Sequence, residues 1–346
     1  MSGELIFITG ATGFVGFAVL TKALQAGYKV RISVRKAEQI ETLKSHVLIA
    51  PYVEKGVVDF AVVPDITVKG AFDSALKDVV GVLHIASPLP QATNDPEKDI
   101  ILPAINGTTS LLNSALLHPT IHRIVLTSSV VALMSNQALM SGDPSTTYTP
   151  QTRRSPLPTA PWGADPGEAY FNSKALSLHA TDTFLATQSP NFTIVNIMPG
   201  FVIGRSELIT KSEDLLKSTN AVPLSIILGV KSDKKPAMIT HIDDVARIHV
   251  AALDTAKVPG NRSFLLQSGD GGKIVFDDAL EVARENFRGA VEEGILPLGG
   301  TTGNAYQIVE SGETEEVFGG LRSYREAVES VVGQFVELKR RELGMA

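Results

Sequence analysis

Short apolar runs alternate with helical patterns along the chain, and they predict strands that alternate with helices. Residues 5–10 (LIFITG) form an apolar run that ends at a glycine, and a helical pattern follows as far as Gly27. In residues 28–36, Val30, Ile32 and Val34 alternate with polar residues, as in a strand with one buried face. Further strands are predicted at 58–66, 80–87, 122–129, 191–200 and 262–268, and a helix at 99–117.

Strands separated by helices of this length indicate βαβ crossovers. We therefore predict an α/β fold, a doubly wound parallel sheet of the Rossmann type with a smaller C-terminal substrate lobe. The sheet domain is expected to comprise residues 1–197 plus 236–268. The lobe is expected to comprise residues 198–235 plus 269–346, ending in an amphipathic helix near 323–343. Residues 135–168 hold six of the 19 prolines, which predicts a long surface loop.

The composition and the charge of the chain exclude several classes of function. The 346 residues are 44% hydrophobic, enough for a large core, and the formal net charge is -6. A nucleic-acid or anionic-membrane partner would normally require a basic face, so neither is expected. The chain has no cysteine, which excludes disulfides and thiolate nucleophiles, and the scattered histidines predict no metal site. Since no signal segment and no apolar run of 18 residues is visible, we expect a cytoplasmic protein.

The first candidate site is the sequence TGATGFVG at residues 9–16, between a predicted strand and a predicted helix. Gly10 would allow the tight turn, Gly13 the close approach of a pyrophosphate, and Gly16 the close packing of helix on strand. The N–H groups at the start of the helix would then face the phosphates. The spacing G-x-x-G-x-x-G differs from the commoner dinucleotide spacing, but its position after the first strand favours a nucleotide site over an ordinary turn.

Arg35 and Lys36 follow the second predicted strand, where a protein that binds NAD normally has a carboxylate for the ribose hydroxyl. No carboxylate occurs between Glu4 and Glu38. A guanidinium can pair with the 2′-phosphate of NADP(H), whereas a carboxylate would repel it. A solvated basic turn is the plainer alternative, and the pattern favours NADP(H).

Tyr170 and Lys174 lie four residues apart in YFNSK, so a helix would bring the phenol and the ammonium to one face. The cation is expected to lower the phenol pKa and make Tyr170 a usable proton donor. The pair follows the fifth predicted strand, which ends at Thr127, Ser128 and Ser129. Ligands of open α/β sheets bind outside the carboxyl ends of the strands, so a hydroxyl there could bind a carbonyl. A surface pair and an ordinary polar turn are the alternatives.

Together these motifs resemble the extended short-chain dehydrogenase/reductase superfamily, whose three signatures correspond here to TGATGFVG, LTSS and YFNSK. The segments VVPDI (62–66), LHIASP (83–88), HIDDVA (241–246) and ILPLG (295–299) narrow the resemblance. They are similar to NADPH-dependent aldehyde and ketone reductases related to dihydroflavonol 4-reductase, especially the fungal methylglyoxal/isovaleraldehyde reductase type. The similarity covers nearly the whole chain and is weakest at 135–168 and 205–235.

The resemblance implies a catalytic triad in which Ser129 orients the carbonyl, Tyr170 donates the proton, and Lys174 binds the nicotinamide ribose and depresses the Tyr170 pKa. It also implies NADP(H) as the cofactor. Arg35 would bind the 2′-phosphate, Asp65 and Ile66 the adenine, and the segment 199–202 the carboxamide end. The full set of implied cofactor residues is Gly10, Thr12, Gly13, Phe14, Val15, Gly16, Arg35, Asp65, Ile66, Ala86, Ser87, Pro88, Tyr170, Lys174, Pro199, Gly200 and Val202.

One residue departs from the pattern of the superfamily. Many members have an asparagine three residues before the Gly-Thr of the fourth helix, and Ala104 stands there, before Gly107 and Thr108. This departure argues against a water-mediated proton relay through that asparagine.

The expected activity is NADPH-dependent reduction of a small aldehyde or ketone to an alcohol by hydride transfer. One alternative is an oxidising dehydrogenase of the hydroxysteroid type, against which Arg35 argues because the cellular NADPH pool is kept reduced. Another is a non-catalytic NADP-sensing regulator, which would usually have lost the tyrosine or the lysine. A nucleotide-sugar epimerase would need a diphosphate clamp, and Arg153 and Arg154 are expected to be solvated.

The substrate pocket is expected to be apolar and to suit medium-sized carbonyl compounds, because no polar clamp is visible. Leu89, Val130, Val131 and Phe201 are predicted to lie near it. We expect a monomer or a homodimer.

Overall fold

The computed structural model describes residues 3–88, 93–142, 145–163, 165–270 and 273–345. The strands are β1 (Leu5–Thr9), β2 (Lys29–Val34), β3 (Val58–Val62), β4 (Gly81–His84), β5 (Arg123–Thr127), β6 (Thr147–Tyr148), β7 (Thr193–Pro199), β8 (Phe201–Ile203), β9 (Lys231–Pro236), β10 (Ile239–His241), β11 (Arg262–Leu266), β12 (Thr301–Ala305) and β13 (Ile308–Val309). The α-helices are α1 (Phe14–Gln25), α2 (Glu38–Lys44), α3 (Ala50–Glu54), α4 (Leu102–Ala115), α5 (Asn136–Ser141), α6 (Pro166–Gln188), α7 (Ala221–Ile227), α8 (Ile242–Ala251), α9 (Asp278–Asn286), α10 (Arg288–Glu292), α11 (Gly312–Phe318) and α12 (Tyr324–Glu342).

The chain divides into two compact units, each made of three segments. The first comprises Met1–Asn136, Pro150–Met198 and Ala246–Phe264, and the second Gln137–Thr149, Pro199–Val245 and Leu265–Ala346. This division differs from the predicted boundaries mainly at 137–149 and 236–245. Those segments belong to the second unit because β6 pairs with β13 and β10 pairs with β8.

The first unit is built on a sheet with the strand order β11-β7-β5-β4-β1-β2-β3. From β7 to β3 the neighbouring strands pair in parallel. The predicted doubly wound α/β fold is therefore confirmed. The strand order reverses between β1 and β4, and such a reversal is where open α/β sheets bind their ligands.

Apolar patterning explains the sheet. Val30, Ile32 and Val34 are buried as their alternation predicts, while Lys29 is exposed. The β-strand β3 ends at Val62, four residues before the predicted end, because Pro64 cannot donate to a ladder. A core lies between the sheet and its helices, and includes Phe7, Phe72, Val82, Leu111, Ile124, Phe184 and Ile194.

The helix predicted at 99–117 and the surface loop predicted at 135–168 can both be compared with the structure. The helix predicted at 99–117 is α4, preceded by a π-helical turn at Glu97–Ile101. The predicted surface loop at 135–168 holds the short helix α5 and the two-residue strand β6, and the long helix α6 begins near its end.

The second unit has its own apolar core, in which α7, α9, α10 and α12 take part. The helix α12 is the amphipathic helix predicted near 323–343, and it buries Val328, Val331, Val332 and Phe335. A capping box fixes its start: the N–H of Glu326 donates to Ser323 Oγ, and the N–H of Ser323 donates to the Glu326 carboxylate at 2.8 Å.

We expect Ser323→Ala to lower the free energy of unfolding of this unit by about 1 kcal/mol, because it leaves the first turn of α12 without its side-chain cap. Urea unfolding followed by circular dichroism measures the change. Ser323→Thr keeps the hydroxyl and serves as the control, and an alanine variant as stable as the threonine variant would contradict the prediction.

Candidate functional site

The three glycines of the 9–16 segment meet three different geometric demands. Gly10 has φ +77°, and a Cβ there would lie 2.8 Å from the backbone nitrogen of Ala86. A Cβ on Gly16 would lie 2.0 Å from the Gly10 carbonyl oxygen, so α1 packs on the turn without room for a side chain. For Gly13 the nearest such atom is 3.5 Å away. This residue leaves an open approach at the start of α1.

The start of α1 is suited to an anion. Gly13 is the N-cap residue, and the first turn carries no acidic side chain. The first N–H groups of a helix have no acceptor within the helix, and they point outward with the positive end of the helix dipole. Thr12 is exposed, and Phe14 and Val15 are partly buried in this turn. These residues could hold a pyrophosphate.

Arg35 is exposed directly after β2, at the same sheet edge as the glycine turn. The N–H groups of Arg35 and Lys36 donate to the Gln39 side chain at 2.9 and 3.1 Å, which fixes the backbone of this turn. The Thr67 hydroxyl donates to Asp65 at 2.7 Å and lowers the pKa of that carboxyl, to which the charge of Arg35 also contributes. The structure thus brings Arg35 and Asp65 near one another.

Ile66 follows β3 and the segment 86–88 follows β4, so both also lie at the carboxyl ends of the strands. A Cβ on Gly107 would lie 3.0 Å from Ile66 Cδ1, so Ile66 packs on α4. The Thr9 hydroxyl accepts the N–H of Ala86 at 3.1 Å, which holds the segment after β4 against β1. Ser87 and Pro88 follow, and Leu89, predicted near the pocket, lies outside the described residues.

Tyr170 and Lys174 share one face of α6, as their spacing predicts. The Lys174 ammonium lies 5.6 Å from the centroid of the Tyr170 ring. It donates to Ser87 Oγ at 3.2 Å and to the Thr127 carbonyl at 3.4 Å, at the carboxyl ends of β4 and β5. The helix itself starts at a cap in which Asp165 accepts the N–H of Gly167.

The expected lowering of the Tyr170 pKa is not found, because burial outweighs the nearby cation. Burial raises the pKa of Tyr170 to about 12, because the ionised phenolate would lose its hydration. The ammonium faces the ring and bonds to Ser87 and Thr127, as described above. Burial also lowers the pKa of Lys174 to about 8.

Ser129 is buried and begins the short 3-10 turn Val130–Ala132, where its Oγ accepts the N–H of Val131 at 3.3 Å. Val130 and Val131, expected near a substrate pocket, are both buried in this turn. The position of Ser129 directly after β5 agrees with a hydroxyl at the ligand edge of the sheet.

Pro199, Gly200 and Val202 belong to the second unit. Pro199 ends β7, and the N–H of Gly200 donates to Leu266 O at 3.2 Å and to Thr240 Oγ1 at 3.1 Å. A Cβ on Gly200 would lie 2.5 Å from Met238 O, so no other residue fits this turn. Val202 is in β8, which pairs with β10.

Arg153 is exposed, as expected, whereas Arg154 is partly buried, so the expectation of a solvated side chain is wrong for Arg154 alone. Arg153 forms an ion pair with Asp182 at 2.6 Å, and Arg154 donates to the Asn172 side chain at 2.5 Å. Both partners are on α6, so these arginines bind the proline-rich loop to that helix. Partial burial lowers the pKa of Arg154.

Sequence reasoning missed His84 and Ser177. His84 is buried in β4, and its pKa is lowered to about 3 by burial and by the charge of Lys174. Ser177 lies three residues after Lys174 and seven after Tyr170, which is the spacing of one helix face. This spacing was the signal in the sequence that could have pointed to Ser177.

Among the described residues, no group of three or more histidine, aspartate or glutamate side chains could hold a metal ion. No helix in the described part of the chain combines the length and the hydropathy needed to cross a bilayer.

A doubly wound sheet, a glycine turn at its first strand and a tyrosine–lysine pair on a long helix define an oxidoreductase of the extended short-chain dehydrogenase/reductase class. A family model described as the NAD dependent epimerase/dehydratase family matches residues 6–266, and the chain belongs to that family. The resemblance drawn from the motifs is thereby confirmed.

Individual relatives carry reductase names. The ketoreductase CTB6 of Cercospora nicotianae is 35% identical over 356 aligned positions, which cover 100% of this chain and 98% of the relative. A putative NADPH-dependent methylglyoxal reductase of Candida albicans is 29% identical and covers 97% of this chain and 99% of its own length. The solved yeast methylglyoxal/isovaleraldehyde reductase Gre2, complexed with NADPH, is 23% identical and has the same fold, with a TM-score of 0.77 over 99% of this chain and 100% of its own.

Proposed function

We propose that this protein is an NADPH-dependent carbonyl reductase that converts aldehydes or ketones to alcohols. The observation that carries the proposal is the arrangement of Lys174. Its buried ammonium lies over the Tyr170 ring and is bonded at the carboxyl ends of two central strands. The names of the relatives described above support the same reaction.

The residues of the first unit fit a dinucleotide. The turn at Gly10 and Gly13 and the start of α1 would hold the pyrophosphate, because a backbone without side chains lets the phosphates approach the N–H groups. Arg35 would pair with the 2′-phosphate, with Asp65 and Ile66 at the adenine. Lys174 would bind the nicotinamide ribose.

The chemistry of the proposal is a hydride transfer coupled to a proton transfer. The reduced nicotinamide, when bound, supplies the hydride to the carbonyl carbon. Tyr170 gives its proton to the developing alkoxide, and Ser129 donates a hydrogen bond that stabilises that charge. Lys174, as an ammonium, favours the phenolate that forms on Tyr170, because opposite charges stabilise each other strongly where water is excluded.

We propose a small aldehyde or ketone as the substrate, following the relatives. From the sequence we also propose that the protein is cytoplasmic and that it is a monomer or a homodimer. A panel of aldehydes and ketones assayed with NADPH and with NADH side by side tests the reaction. Oxidation of alcohols without measurable carbonyl reduction would refute the reductase assignment.

Arg35→Asp is expected to reverse the cofactor preference. The wild-type enzyme should prefer NADPH, and the variant should lose about 10- to 100-fold in NADPH affinity because a charge-assisted pair is replaced by repulsion. NADH use should improve relative to NADPH. Lys36→Asp is the matched control, with the same change of charge one residue further on. Equal kcat/KM for the two cofactors in the wild-type enzyme would overturn the prediction.

A further inference from the structure

The strand β3 is the last strand in the order of the seven-stranded sheet, and its neighbour there is β2. The N–H of Val30 in β2 donates to Val57 O at 2.9 Å. Alternate residues of a parallel strand bond to the same neighbour, so the backbone groups of Val58, Phe60 and Val62 face outward. An outward row of N–H and C=O groups can pair with a strand of another chain.

The sequence of β3 favours such pairing. Natural proteins protect sheet edges with lysine, proline or a bulge. The strand reads VDFAV, with neither lysine nor proline, and its register with β2 continues from Val58 to Val62 without a shift. Val62 is 48% exposed. The charged residue of the strand is Asp59, so protection of this edge depends on that side chain.

The Asp59 carboxylate occupies the middle of this edge. Its Oδ1 accepts the N–H of Phe60 at 2.8 Å, and its Oδ2 accepts Arg31 Nε at 2.7 Å. Arg31 also donates to the carbonyls of Ala75 and Lys77 at 2.9 and 2.8 Å, which fixes the guanidinium and hence the carboxylate. The Asp59 side chain is 58% exposed, and ion pairs at such positions contribute little to stability. A role at the edge explains this arrangement better than a role in stability.

The outward edge of β3 is complementary to a second copy of itself. Two antiparallel copies related by a two-fold axis at Phe60 would place Val58 of each copy opposite Val62 of the other. Asp59 would then lie opposite Ala61, so the two carboxylates would not face each other. In the central pair, each Phe60 N–H would donate to the Phe60 carbonyl of the other copy. That N–H is the one that Asp59 already binds.

We propose that Asp59 guards the outer edge of β3, and that its bond to the Phe60 N–H prevents a second copy of this chain from pairing β3 with β3. Before such pairing can occur, the bond must break and the carboxylate must lose water against the other strand, which is unfavourable for a charged group. The partner that this edge fits is therefore a second copy, which the guard excludes. The proposal is independent of the proposed function, because it involves none of the residues assigned to cofactor binding or catalysis.

The test compares Asp59→Ala with Asp59→Asn. Both variants lose the charge, but asparagine keeps an oxygen that can accept the Phe60 N–H. The molar mass of each is measured by size-exclusion chromatography with light scattering over a wide range of protein concentration. Each freed hydrogen bond contributes roughly three- to tenfold to an association constant, and a symmetric pair has two, so the alanine variant should self-associate about tenfold or more strongly than the wild type. A species of twice the wild-type mass should appear, and the asparagine variant should keep the wild-type mass.

A double variant shows which surface carries the association. Asp59→Ala combined with Val62→Lys adds an exposed charge to the same edge and should restore the wild-type mass, because lysine opposes edge pairing. Circular dichroism checks that every variant is folded at the temperature of the measurement. An alanine variant with the wild-type mass at all concentrations, or an asparagine variant that associates as strongly as the alanine variant, would overturn the proposal. Association that persists in the double variant would place the contact on another surface and would overturn it as well.

Discussion

Tyr170→Phe is expected to lower kcat by about 10²–10⁴-fold, with NADPH affinity nearly unchanged. The substitution keeps the ring, its packing and its contact with Lys174, and it removes only the hydroxyl that would donate the proton. General acid catalysis contributes a rate factor in that range. Steady-state kinetics on a good carbonyl substrate and a fluorescence titration with NADPH measure the two quantities.

Three variants serve as controls for this experiment. Tyr28→Phe makes the same change at a buried tyrosine just before β2, at the amino ends of the strands and away from the proposed site. It should leave kcat unchanged. Lys174→Ala should weaken NADPH binding as well as turnover, because the ammonium would contact both the ribose and the phenol. Ser129→Ala should lower kcat with little effect on cofactor affinity. A Tyr170→Phe enzyme that keeps more than about a tenth of the wild-type kcat would exclude Tyr170 as the proton donor.

Gly16→Ala should destabilise the first unit by about 3 kcal/mol or more, and it is the second substitution for which we expect a large effect. The new Cβ would lie 2.0 Å from the Gly10 carbonyl oxygen, a backbone atom that cannot rotate away. Overpacking of this kind costs about 1–3 kcal/mol when a side chain can adjust, and more when it cannot. Denaturant unfolding measures the change.

Gly13→Ala provides the contrast. Its Cβ would meet the nearest atom at 3.5 Å, an ordinary contact, so the fold should keep its stability. The methyl group would instead stand at the open start of α1, where we place the pyrophosphate. NADPH affinity should therefore fall by about tenfold or more, a loss of about 1.4 kcal/mol. Equal stability of the two alanine variants would show that Gly16 is not a packing requirement.

The strands and the glycine turn could be predicted because their causes are local. The apolar run before Gly10 and the alternation of Val30, Ile32 and Val34 depend on neighbours in sequence, and the structure has both strands where the patterns indicate. Tyr170 and Lys174 share a helix face for the same reason. The boundaries of the second unit could not be predicted, because they depend on the pairing of β6 with β13, more than 150 residues apart.

The pKa shifts and the buried contacts of these side chains could not be predicted from the sequence either. The phenol pKa depends on where Tyr170 and Lys174 lie in three dimensions, and burial outweighs the nearby cation. Arg153 is exposed, as the sequence indicates, but its partner on α6 and that of Arg154 are 18 or more positions away and could not be predicted. Ser177 has the helical spacing of Tyr170 and Lys174, but only the structure reveals that its buried hydroxyl has no hydrogen-bond partner among the described residues.

The order of the strands along the chain has a consequence for protein synthesis. The strand β7 ends at Pro199, and β11, its neighbour at the sheet edge, begins at Arg262. A ribosome adding about 5–20 residues per second needs roughly 3–12 s for the residues between them. During that time the outer edge of β7, one of the most buried strands of the finished sheet, is open to pairing with other chains. The yield of folded protein in a cell therefore depends on how well that edge is shielded during translation.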